Sequence, residues 1–176
     1  MRGTVTIDII RHEPKKRGLN RNMMNQATPE GANDSFYHAF EELSIQNMDK
    51  IWSHNEGSSC VHPGWELVVG WIAIRRSWIQ IFDDTESIKI RVNTLRSRKH
   101  GKVAIIICLE DIQALVNGKR LKFGVVATNI FEEAEAKWFL THHHGSPLSN
   151  YFGPRFMLDS FAIIGLPPLH DKTHNF

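Results

Sequence analysis

The apolar positions of this chain change period partway along. Between Asn33 and Gln46, Phe36, Ala39, Phe40 and Leu43 recur at three- and four-residue spacing, which gathers side chains on one helical face. Asn33 or Asp34 is placed to cap that helix, since a short polar side chain accepts from the unpaired N–H groups of a first turn. A short helical turn at Met48–Ser53 follows, with Ile51 and Trp52 facing inward. Ser58–His62 reads as a short strand stopped by Pro63-Gly64. Gly70 precedes a second helix, Trp71–Phe82, in which Ile74, Trp78, Ile81 and Phe82 keep the helical period.

After Asp83-Asp84 the period falls to two. Ser87–Arg96 alternates Ile88, Ile90 and Val92. Lys99–Gly101 turns, and Lys102–Ala114 is strongly β-forming, with Val103, Ile105, Ile106, Ile107 and Ile112. Asn117-Gly118 is a hairpin signal. Arg120–Phe131 makes the third strand, Glu132–Lys137 turns, and Trp138–His144 is the fourth. Helices first and an antiparallel meander afterwards predict an α+β fold, a curved sheet whose open face the helices cover. The space enclosed between them is where a ligand would sit.

Three zones result. Residues 1–31 form a basic, mostly irregular arm with a short strand over Thr4–Ile10; residues 32–147 form the domain; residues 148–176 form a tail. Four of the seven prolines (Pro147, Pro154, Pro167, Pro168) fall at that end, where they preclude a central strand. The tail is expected to pack through Phe156, Met157, Phe161, Ile163 and Ile164.

Composition narrows the classes. The 176 residues are 41% hydrophobic and 23% charged, as in one globular domain. The net charge of +2 makes no case for nucleic acid. Cys60 and Cys108 are too few for a disulfide scaffold and form no zinc-type CxxC pair. A reduced, cytoplasmic setting fits, with organelle targeting by the basic arm left open. No apolar run has membrane-spanning length.

Specific residues carry a resemblance. They are Trp52-Ser53-His54, Cys60-Val61-His62-Pro63-Gly64-Trp65, Gly70-Trp71, Ile74, Ser77-Trp78, Ala127-Thr128-Asn129-Ile130-Phe131, Trp138, His142-His143-His144, Ser146 and Pro147. Over about Asn33–Pro147 the chain resembles the SnoaL-like group of the nuclear-transport-factor-2-like superfamily. The resemblance implies a cone-shaped sheet around a pocket, a homodimer through the exposed sheet face, and no cofactor. That family includes ketosteroid isomerase, scytalone dehydratase, polyketide cyclases and non-catalytic assembly domains. Both a small-molecule acid–base enzyme and a dimerisation or assembly module therefore remain open.

Candidate chemistry concentrates at a few positions. Glu110 follows an apolar stretch and by alternation shares a side with Cys108 and Ile106. Facing a pocket, it is a carboxylate with a raised pKa, suited to proton transfer; at the strand end it would pair with Arg91 or Arg96 instead. His62 and His143 are the candidate bases to work with Glu110. Asn129 either bonds a ligand carbonyl or holds Glu110. Tyr37, Trp52, Trp65, Cys108 and Thr141 complete the predicted ligand-binding set, with Trp78 assigned to the core. A small apolar or carbonyl-containing ligand suits such a lining. The isomerase base has no convincing acid here, where the chain reads Trp52-Ser53-His54-Asn55-Glu56.

The run His142-His143-His144 reads two ways. Strand neighbours point to opposite faces, so at most two share a side, and a metal site would need a third ligand such as His62 or Glu110. The other reading is one pocket histidine with its neighbours packed at the sheet face or a dimer interface. The resemblance implies the second.

Overall fold

A computed structural model describes residues 25–148. The expected strand at Thr4–Ile10 and the apolar packing of the tail lie outside the described residues.

Helix α1 spans Pro29–Glu41. It begins earlier than the apolar period suggests, so the expected caps Asn33 and Asp34 lie inside it. Thr28 is the cap, its hydroxyl accepting from Gly31 N at 3.1 Å. Proline at the first helical position and Glu30 in the first turn complete a well-formed start. The helix also stops short of Gln46. Leu43 turns to a positive φ of 50°, and Ser44 caps a new helix α2, Ile45–Ile51, by accepting from Asn47 N. Helix α3 runs Trp71–Asp84. It enters through Gly70, whose φ of 83° suits glycine and whose N–H donates to Ser58 O at 2.8 Å.

The strands are β1 (Ser59–Val61), β2 (Val68–Val69), β3 (Thr85–His100), β4 (Val103–Val116), β5 (Lys119–Ala134) and β6 (Lys137–Pro147). They form one curved sheet in the order β2-β1-β6-β5-β4-β3. The four long strands are the predicted meander, somewhat lengthened. Asn117 and Gly118 both take positive φ (48° and 74°), as a two-residue hairpin requires. Two features depart from the expected pattern. β2 is too short for its periodicity to register in the sequence. β1 lies parallel to β6, pairing Ser59, Cys60 and Val61 with His142, His143 and His144, so the sheet is mixed.

Helices α1 and α3 lie across the concave face. Phe36, Trp78, Phe131, Trp138 and Leu140 are wholly or almost wholly buried there. The Trp78 ring meets Phe40 and Phe36 edge-on at 4.8 and 5.7 Å. Edge strand β3 is tied to α1 where Glu41 Oε1 accepts from Ile90 N at 2.8 Å. Beyond residue 92 it is exposed throughout, and Arg96, Arg98 and Lys99 charge its edge against unwanted strand pairing. Gly145 sits where β6 passes the loop after β1. A Cβ there would lie 2.9 Å from Pro63 Cγ and 3.2 Å from Val125 Cγ1, so this close approach needs glycine.

Candidate functional site

Alternation along β4 turns Ala104, Ile106, Cys108, Glu110 and Ile112 toward the helices. Glu110 is 2% exposed. Asn33 and Tyr37 are four residues apart on α1, hence on one face, and both meet the sheet opposite β4 and β5. The Tyr37 hydroxyl donates to Glu110 Oε1 at 2.6 Å. Asn129, directly across from Ile106 on β4 and His143 on β6, is 0% exposed. Its Nδ2 donates to Asn33 Oδ1 at 2.8 Å and to the Tyr37 oxygen at 3.1 Å. Its Oδ1, with no proton to give, accepts from His143 Nδ1–H at 2.6 Å.

These bonds fix the protonation pattern. His143 carries its hydrogen on Nδ1, which leaves Nε2 with a lone pair. The Tyr37 proton belongs to the Glu110 contact. A buried amide, a phenol, an imidazole and a carboxyl thus form one chain in which each polar group meets a partner, as burial in low dielectric demands.

β6 delivers His143 by an irregularity. Phe131 pairs with Leu140, but the preceding residue, Ile130, pairs with His142, so Thr141 is an extra residue in β6. Thr141 Oγ1 donates to Ile130 O at 3.2 Å. This bulge shifts the alternation, so Leu140 and His143 face in while His142 and His144 face out.

The electrostatics follow from burial. Desolvation pushes the Glu110 carboxyl up to about 7, with the Tyr37 hydrogen bond pulling the other way. Desolvation and the facing Glu110 raise the Tyr37 phenol well above its usual range. His62 is lowered to about 3 by burial. Burial first, then His62, His142 and His144, hold His143 well below the ordinary imidazole value. Near neutral pH both inward histidines are uncharged, and Glu110 titrates.

His62, in the loop after β1, has a different tautomer. Ser77 Oγ donates its single proton to Ile74 O at 2.7 Å, so at 2.8 Å from His62 Nε2 it accepts Nε2–H. The other nitrogen, Nδ1, lies 3.8 Å from Cys60 Sγ. Burial pushes the Cys60 thiol far up, making it a small apolar side chain and no nucleophile.

A cavity of about 60 Å³ opens between α1, α3 and the inner sheet face, lined by Phe40, Trp65, Trp78 and Phe123 around His62, Glu110 and His143. A water needs about 10–15 Å³ and drug-sized ligands about 300 Å³ or more, so this hollow takes only a small molecule or one end of a larger one.

Of the predicted residues, Glu110, His62, His143 and Trp65 line the cavity. Tyr37 and Asn129 reach it through Glu110 and His143. Cys108 stands apart from it, 3.7 Å from Asn33 Nδ2 and 4.0 Å from Thr94 Oγ1. Two assignments are corrected, Trp52 and Thr141, and one is extended, Trp78. Trp52 is buried against Trp71 at the N-terminal end of α3, with ring centroids 6.2 Å apart, and is not among the cavity's lining residues. Trp78, assigned to the core, is buried there, and it also lines the cavity because α3 carries it edge-on to His62 at 4.7 Å. Thr141 faces outward because of the bulge. The suggested third metal ligands, His62 and Glu110, lie inside with His143, whereas His142 and His144 lie outside. Among the described residues no group of three or more His, Cys, Asp and Glu side chains is placed to hold a metal ion. Asn33 and Ser77 were missed as site residues; the Asn33–Tyr37 spacing was the available signal.

The model of the SnoaL-like domain family matches residues 30–150. A candidate dehydratase of the NTF2-like family from Streptomyces avermitilis is similar at 32% identity, covering 66% of this chain and 91% of that one with a TM-score of 0.62. A candidate calcium/calmodulin-dependent protein kinase type II association domain from Thiobacillus denitrificans is 27% identical over 69% of this chain and 96% of that one, with a TM-score of 0.63. The F-box protein SKIP8 of Arabidopsis thaliana is 26% identical over 114 residues, 65% of this chain. The chain spans 47% of the length of that relative.

Proposed function

This chain belongs to the SnoaL-like domain family, within the NTF2-like superfamily, and on that premise we propose that it binds a small, largely apolar molecule in the cavity and moves a proton on it. One observation carries the reading. A carboxyl that titrates near neutrality and a neutral imidazole line the same apolar hollow, each held from behind by the chain through Tyr37 and Asn129.

In this reading His143 Nε2 accepts a proton from the bound molecule, and protonated Glu110 returns one at a second atom. The sum is an isomerisation, or an elimination of water where the second atom is a hydroxyl. Acid and base with separated proton affinities are what such chemistry needs. His62 contributes a cavity wall, because its Nε2–H is committed to Ser77. The candidate dehydratase from Streptomyces avermitilis supports this class of reaction by analogy.

The test pairs native mass spectrometry of the purified chain, to identify a retained small molecule, with the Glu110→Gln variant. Glutamine keeps the shape and the Tyr37 contact but cannot exchange a proton. Turnover is expected to fall at least a hundredfold with folding intact; turnover at the wild-type level would overturn the assignment.

A second reading has its own observation. On the convex face Leu95, Val103 and Ile105 are 54%, 40% and 42% exposed. That apolar surface suits a homodimer or larger assembly through the sheet face, as the association-domain neighbour also suggests. Cavity chemistry and assembly are compatible in one molecule.

A further inference from the structure

The convex face also carries chemistry that the cavity does not use. His142 and His144 stand two residues apart on β6, and the strand period turns both outward. His142 is half-buried and His144 exposed. Their ring centroids are 6.2 Å apart. Two imidazoles sharing one ion through nitrogens at about 2.0–2.1 Å have centroids about 5 Å apart at a tetrahedral angle. Small side-chain rotations close that difference, and the solvent side of His144 leaves room for them.

Ser59 supplies a second, independent feature. Strand β1 pairs it directly with His142, and its Oγ lies 2.7 Å from His142 Nδ1. An ion on Nε2 leaves the proton on Nδ1, and the serine hydroxyl rotates to accept it. A ligating histidine characteristically holds its other N–H in such a bond, which fixes the ring and strengthens it as a donor. Among the flanking outward residues on β5 and β1, Thr128, Ile130 and Val61 are uncharged, and the Glu132 carboxylate lines the same groove as Ser59 and His142.

We propose that His142 and His144 chelate one divalent transition-metal ion on the convex face, with Ser59 as the positioning residue. Two imidazole nitrogens select zinc, copper or nickel over magnesium and calcium, which take oxygen ligands throughout, and the Glu132 carboxylate of the same groove is compatible with the zinc donor set. Water fills the remaining coordination positions. The site lies across the sheet from Glu110 and His143, so it stands or falls independently of the cavity reading.

The test is titration of the full chain with Zn²⁺ by calorimetry, alongside Cu²⁺ electron paramagnetic resonance. Histidines elsewhere in the chain make the variants decisive. His142→Ala and His144→Ala should each weaken the site at least tenfold, and Ser59→Ala about tenfold. His100→Ala, another exposed convex-face histidine, should leave it unchanged. The copper spectrum should show two coupled nitrogens, falling to one in His144→Ala. Zinc affinity and copper coupling unaltered by both histidine variants would overturn the site. Loss in those variants but not in Ser59→Ala would overturn the role of Ser59.

Discussion

Strands β4 to β6 show two different chemistries on their two faces. On the concave face every polar group of the Asn33–Tyr37–Glu110–Asn129–His143 cluster has a partner from another element. On the convex face apolar side chains meet solvent. There Asp111, one residue beyond Glu110, has a buried Oδ1 without a hydrogen bond among the described residues. Adjacent carboxyls thus meet opposite conditions, one completed within the fold and the other left short. The contrast teaches that the five-residue concave cluster is completed by the chain alone, although the buried Nε1 atoms of Trp52 and Trp78 also lack a partner among the described residues, whereas the convex side has the character of a surface made for company.

The largest effect should come from cutting the concave chain at its centre. Asn129→Leu strips partners from Asn33, Tyr37 and His143 together, and should cost about 3–4 kcal/mol in denaturant unfolding. A loss below about 1 kcal/mol would mean that the two faces do not differ as described.

The next test uses pH. Glu110, raised to about 7, keeps a proton in the folded chain that the unfolded chain releases near its ordinary value of 4.5. Its contribution to stability is therefore full below pH 4.5 and is lost as pH rises through 7, about 3 kcal/mol in all. His62, lowered to about 3, and His143 act in the opposite sense. Their contribution is present above about pH 6.5, the ordinary imidazole value, and is lost as pH falls. Measured against wild type from pH 4.5 to 8, Glu110→Gln should gain relative stability as pH rises. A constant difference would show that the carboxyl is solvated.

The smallest effect on folding should come from the convex face. Ile105→Glu replaces a side chain that is 42% exposed, and should shift unfolding by no more than about 0.5 kcal/mol. Sedimentation should nonetheless show self-association weakened at least tenfold. A strongly destabilised monomer would instead assign Ile105 to the core.

Much of this contrast is readable from residue order. Strand alternation puts Glu110 on one side with Ile106 and Cys108 and Asp111 on the other, but the almost wholly apolar run Val103–Leu109 does not say which side faces in. The Asn117-Gly118 turn fixes the β4–β5 register, and Asn129 meets Glu110 only indirectly, through the Tyr37 hydroxyl. What escaped is non-local or irregular. The parallel pairing of β1 with β6 joins segments more than 80 residues apart and has no local signature. The start of α1 at Thr28-Pro29-Glu30 was legible by capping chemistry, but the apolar period, which begins later, was the stronger guide. In sequence Trp52 reads as a pocket residue and Trp78 as a core residue. Only the crossing of α3 decides which one meets the cavity.

The extra residue at Thr141 has a consequence for how this strand can change. It sets the phase of everything that follows it, as a dropped stitch sets the rest of a row. Removing one residue there would send His143 outside and bring its neighbours in, without altering a single amino acid downstream. In relatives of this chain, the spacing between the tryptophan and the glycine that bracket the histidines should therefore report which imidazole serves the interior more faithfully than histidine identity does.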